Sequence, residues 1–132
     1  MLDKLRDEAL ALIAATPQCT LSTIGPAGLQ ASIVSCIVRA DCIYVLLPST
    51  AEHLFNLEQD TEVVLTGALW QLRAAALALG AVDGLHGTAP HEISARARTE
   101  GQALVEVFPI RMHIEPGRQR RYRETIDFYL PS

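Results

Sequence analysis

The stretch from Cys42 to Asp60, CIYVLLPSTAEHLFNLEQD, constrains the fold of this chain more than any other. Cys42 to Leu47 is a run of apolar and β-branched residues, which reads as a buried strand. Pro48 stops it, because proline has no N–H to donate to a neighbouring strand. Ser49-Thr50-Ala51-Glu52 then has the spacing of a capping box. In that motif the Ser49 hydroxyl accepts from the Glu52 amide and the Glu52 carboxylate reaches back to the Ser49 amide. A short helix is expected next, with Ala51, Leu54 and Leu57 on its inner side. A strand that runs straight into a helix N-terminus gathers free amides and positive dipole, which suits a phosphate. The same residues also serve simply to turn a corner.

The rest of the chain repeats strand and turn around this stretch. Leu2, Leu5, Ala9, Leu12 and Ile13 recur at helical spacing, so residues 3–15 are expected to form an amphipathic helix that Thr16-Pro17 ends. Cys19 to Ile24 reads as a strand, Gly25-Pro26-Ala27-Gly28 as a turn and Leu29 to Val38 as a second strand. Arg39-Ala40-Asp41 turns that strand into Cys42, which makes a three-stranded meander. Thr61 to Thr66 is a further strand. Residues 68–82, ALWQLRAAALALGAV, are ambiguous. Alanine favours helix, whereas the position after a strand and the flanking Gly67 and Gly80 favour strand, and strand is the reading taken. Asp83-Gly84, His86-Gly87 and Pro116-Gly117 mark turns. Pro90 to Gln102 is polar and helical in character, Leu104 to Ile114 reads as a strand, and Arg123 to Leu130 as a last strand rich in sheet-formers.

A chain of 132 residues makes one domain, 1–132, able to bury its own core. The sum is a mainly β (α+β) protein: a six- to seven-stranded antiparallel β-barrel, closed or split, with two or three peripheral helices. A net charge of −4 argues against nucleic acid and anionic membrane as partners. The odd set Cys19, Cys36 and Cys42 points to reduced thiols. A first segment broken by Asp3, Lys4, Arg6, Asp7 and Glu8 does not read as a secretion signal, so a cytoplasmic location is expected. The turn at 39–41 would set Cys36 nearer Tyr44 or Val45 than Cys42, so no Cys36–Cys42 disulfide is expected. No metal site is expected either. His86 and His91 are five apart with no third ligand nearby.

The order of these segments resembles the FMN-binding split β-barrel family related to pyridoxamine 5'-phosphate oxidase. The residues that carry the resemblance are LSTIGPAGLQASIVSCIV around its glycine turn, IYVLLPSTAEHLFNLEQDTEVVLT, and the late RETIDF. Within the second segment, Ser49, Ala51, His53, Asn56-Leu57 and Asp60 match the family's loop, helix and acidic turn. The resemblance implies a homodimer with FMN in clefts between protomers and hydride transfer at the flavin. It implies that Ser32, Ile33, Val34 and Ser35 meet the flavin ring, and that Leu47, Pro48, Ser49, Thr50 and His53 hold the phosphate. Family members often set a Lys or Arg in that loop, whereas no basic residue lies between Val45 and Glu62 here. Arg73, beside Trp70, and the run Arg118 to Arg123 are the candidates to supply a cation. Trp70 otherwise reads as core or dimer packing. A haem-binding or cofactor-less ligand-binding dimer on the same barrel is the alternative.

Overall fold

The computed structural model describes residues 2–79, 91–116 and 124–128. Helix α1 (Leu2–Ala14) leads into β1 (Gln18–Thr23), β2 (Gln30–Arg39) and β3 (Cys42–Pro48). Helix α2 (Glu52–Leu57), β4 (Glu62–Thr66) and β5 (Trp70–Ala78) follow. Then come α3 (His91–Thr99), β6 (Gln102–Ile114) and β7 (Glu124–Asp127). The seven strands make one antiparallel sheet in the order β3-β2-β1-β4-β5-β6-β7, and an additional pairing of β3 with β6 closes six of them into a barrel. Closure pairs each of the six ring strands on both sides over part of its length.

The inward residues alternate along each strand. Cys19 and Leu21 from β1, Val34 and Cys36 from β2, and Leu72, Ala74 and Ala76 from β5 fill the interior with Val45, Val63, Val105 and Met112. β5 shows why 68–82 reads as strand where it is described: Trp70, Leu72, Ala74 and Ala76 point in while Gln71, Arg73 and Leu77 point out. The period of two outweighs the helix preference of its alanines, because a helix would scatter that apolar face. β3 is apolar throughout because both of its faces are covered. Ile43, Val45 and Leu47 face the barrel, while Tyr44 and Leu46 form a second cluster with Ile93 and Ala97 of α3 and Leu104 of β6.

β6 serves two partners along one edge. Gln102 to Val107 pair with β3, and Arg111 to Ile114 pair with β7. Pro109 lies between those two stretches, next to the register shift against β5 at Arg73/Ala74. A residue with no N–H fits where one ladder has ended and the next has not begun. The β2–β3 turn uses Ala40 (φ 51) and Asp41 (φ 64), both left-handed, as a two-residue hairpin between right-twisted strands requires. It sets Cys36 opposite Val45, as expected, and all three cysteines are free thiols. The hydrogen bond to Cys19 and burial push the Cys36 thiol up.

The turns at 83–84 and 86–87, the run Arg118 to Arg123 and the outer residues of the last strand lie outside the described residues. Among the described residues no helix is long and apolar enough to cross a membrane. No group of His, Cys, Asp and Glu among them is arranged to hold a metal ion.

Candidate functional site

The capping box does not form. Ala51, not Ser49, is the N-cap of α2, with no side-chain cap hydrogen bond. Ser49 and Thr50 lie exposed in a turn closed by the Ala51 amide donating to the Pro48 carbonyl at 2.9 Å. That turn takes up two residues, so the helix begins later than the spacing implied. Ala51 and Leu54 pack against the core and Leu57 is buried in it, as expected, but the helix buries His53 and Asn56 as well. The buried positions are His53, Asn56 and Leu57. Two of the three are polar.

Those two side chains tie α2 to the β1–β2 hairpin. Asn56 accepts from the Ala27 amide at 2.9 Å and donates to the Gly28 carbonyl at 2.9 Å and to Thr23 Oγ1 at 3.1 Å. Gly25 lies so close that a Cβ there would fall 2.8 Å from Asn56 Oδ1. His53 Nδ1 lies 2.7 Å from Thr23 Oγ1, and Nε2 lies 3.0 Å from Ser32 Oγ.

The directions of these bonds follow from the donors present. Thr23 is buried and accepts from Asn56, and its own proton has no other acceptor than His53 Nδ1 among the described residues. A buried hydroxyl donates if it can. The neutral imidazole therefore carries its proton on Nε2 and donates to Ser32 Oγ, an assignment made from the network. Burial lowers the pKa of His53. The hydrogen-bond pattern acts in the same sense, because a proton on Nδ1 would strand the Thr23 hydroxyl. The Ser32 hydroxyl, on an exposed residue, keeps its own proton free for a group above β2.

β2 runs on past its neighbour here. Its pairing with β3 begins at Ser35, opposite Leu46, while its pairing with β1 covers Gln30 to Ser35. Gln30 to Val34 therefore keep one strand edge without a ladder partner among the described residues, beside Pro48 and α2. Ile33 is 73% exposed there, and Ile24, Leu29 and Phe55 are exposed apolar side chains on the same hairpin and helix.

The sequence-derived site residues divide accordingly. Ser32 and His53 are joined by a hydrogen bond, Pro48, Ser49 and Thr50 lie exposed ahead of α2, and Ile33 is exposed on β2. Val34 and Leu47 are core residues, and Ser35 is half-buried at the start of the β3 ladder. Trp70 is core, at the far end of β4 from Val63, the partner of Thr23. Its indole Nε1 donates to Thr16 Oγ1 at 3.2 Å. Arg73 points outward and pairs with Glu62 at 2.9 Å. The glycine turn marks Gly25 only as a turn residue, and no local signal marks Thr23. Asn56 was noted only as part of a matching pair.

No family model and no curated protein matches the sequence. Solved structures do match the fold. A protein from Clostridium acetobutylicum related to general stress protein 26, of the pyridoxinephosphate oxidase family, superposes with a TM-score of 0.68 at 9% identity, covering 96% of each chain. The chain has the split-barrel fold of the pyridoxamine 5'-phosphate oxidase family. A putative pyridoxamine 5'-phosphate oxidase from Listeria innocua shares this split barrel with a TM-score of 0.62 at 11% identity, over 83% of this chain and 97% of that one. A haem-binding protein from Mycobacterium smegmatis does so with a TM-score of 0.66 at 20% identity, over 92% of this chain. The present split barrel spans 57% of that longer protein. At these identities the likeness is one of fold.

Proposed function

We propose that this split barrel is a homodimeric flavoprotein, a small cytoplasmic oxidoreductase that seats its flavin ring along the exposed end of β2. The observation that carries the reading is the one-sided strand edge at Gln30–Val34, with the Ser32 hydroxyl held by His53 beside it. An unpaired strand edge presents alternating N–H and C=O groups. The pyrimidine end of a flavin carries carbonyl, N–H and carbonyl in a row, which complements such an edge. The apolar remainder of the ring suits exposed Ile33. The exposed apolar side chains Ile24, Leu29, Ile33 and Phe55, from the β1–β2 hairpin and α2, also support a second copy of the chain as the cover, since exposed apolar surface favours association. A bound flavin supplies hydride transfer at its ring. The chain's own part is to bind and orient it and to keep water from it.

Absorbance tests this directly. Bands near about 370 and 450 nm in the purified or FMN-reconstituted protein are expected, as for flavins generally. The likeness to the M. smegmatis haem-binding protein favours haem as a second reading, which a Soret band would establish instead. His53 offers iron no ligand without breaking its network, because both ring nitrogens are engaged. A colourless protein whose thermal midpoint ignores both ligands would leave a cofactor-less dimer, since a ligand of the folded state must raise that midpoint.

A further inference from the structure

We infer that this site recognises a flavin through its ring and not through its phosphate, so that riboflavin and FMN bind it alike. The inference rests on the flavin reading above and concerns which part of the ligand supplies affinity. The phosphate position that the fold implies lies at the start of α2, and the residues there do not suit a dianion. Glu52 stands exposed in the first turn of that helix. No Lys or Arg occurs between Val45 and Glu62. His53, the one side chain at the corner able to become cationic, is 2% exposed. Both its ring nitrogens are occupied by Thr23 and Ser32, and burial keeps it neutral.

Among the described residues, four arginines elsewhere in the fold are already paired. Arg39 pairs with Glu92, Arg73 with Glu62, Arg96 with Glu100 and Arg111 with Asp127. A phosphate monoester carries more than one negative charge at neutral pH. Set beside the Glu52 carboxylate, with no Lys or Arg supplied by the loop or helix itself, that charge gains nothing over water from this corner. The ring side of the site is different in kind. It offers a one-sided backbone edge, with the neutral Ser32 hydroxyl on one face of the strand and apolar Ile33 on the other, and none of these favours an anion.

The test is a fluorescence-quenching titration of the intact protein with FMN and with riboflavin, at low and at high salt. The two dissociation constants are expected to agree within about threefold, with no salt dependence of their ratio. Ser32→Ala is expected to weaken both by the same factor, about three- to tenfold, the worth of one hydrogen bond. Glu52→Lys is expected to create a several-fold preference for FMN, and an unchanged ratio would overturn the placement of the phosphate. FMN binding tenfold or more tighter than riboflavin, with the advantage lost at high salt, would overturn the inference while leaving the flavin reading intact. Binding of neither flavin would overturn both.

Discussion

Asn56 makes the largest single-residue contribution to the corner. It satisfies an amide, a carbonyl and a hydroxyl from the β1–β2 hairpin. Asn56→Ala leaves those groups buried without partners and is expected to cost about 2–3 kcal/mol in urea denaturation. Gly67 is a second such position. Its amide donates to the Trp70 carbonyl at 2.9 Å, and the Trp70 indole folds directly over it, so that a Cβ would overlap the ring. Gly67→Ala is expected to cost about 1–3 kcal/mol, the usual penalty for overpacking, and to shift the tryptophan emission.

His53 makes stability depend on pH, and the sign is fixed by its lowered folded-state pKa. Above the ordinary histidine value of about 6.5 the residue is neutral folded or unfolded, and its contribution is complete. As pH falls through that value the unfolded chain takes up a proton that the folded chain refuses. Stability then declines, by at most about 1.4 kcal/mol per pH unit, until the pH reaches the lowered folded value. His53→Gln is expected to flatten urea midpoints measured between about pH 7 and pH 5. An unchanged slope would assign the acid sensitivity to other groups.

At the scale of elements, packing on a second face decides more than propensity does. β3 and the first half of β6 carry apolar residues outward because α3 covers them. Ile93 of α3 is 3% exposed against Tyr44, Leu46 and Leu104. Ile93→Ala is expected to cost about 2–5 kcal/mol. Hydrogen exchange should rise first in α3, if the helix seats as described, and an even rise across the barrel would argue otherwise. The run Cys42 to Leu47 announced β3 because it was apolar without interruption, and β5 was legible from its place after a strand and its flanking glycines despite its alanines. The start of α2 was not legible. The Ser-x-x-Glu spacing at 49–52 is that of a capping box, yet the turn closed on Pro48 consumes Ser49 and Thr50 before the helix begins.

For the whole molecule, closure of β3 onto β6 gives a barrel with an apolar interior, and Thr23, Ser32, His53 and Asn56 form a hydrogen-bonded polar cluster where α2 meets the β1–β2 hairpin. The proposed dimer belongs to this scale. Ile33→Asp places a charge at a 73% exposed apolar position of the proposed seam, and a charge buried there without a partner is unfavourable. If that face is the seam, the variant is expected to sediment as a monomer while keeping the strand content of the parent by circular dichroism. A wild-type protein that is already monomeric at micromolar concentration would remove the dimer from the reading.

The sequence by itself determined the strands, their hairpins and the split barrel, because alternation, proline stops and glycine turns act within a few residues of one another. Only the tertiary structure decided the character of the corner. His53 and Asn56 sit on a six-residue helix, and their partners Thr23, Gly28 and Ser32 lie 33 to 21 residues earlier in the chain. Whether a histidine faces a ligand or is sealed, neutral, against two hydroxyls depends on which strand ends arrive beside it. That arrangement exists only once the barrel has closed.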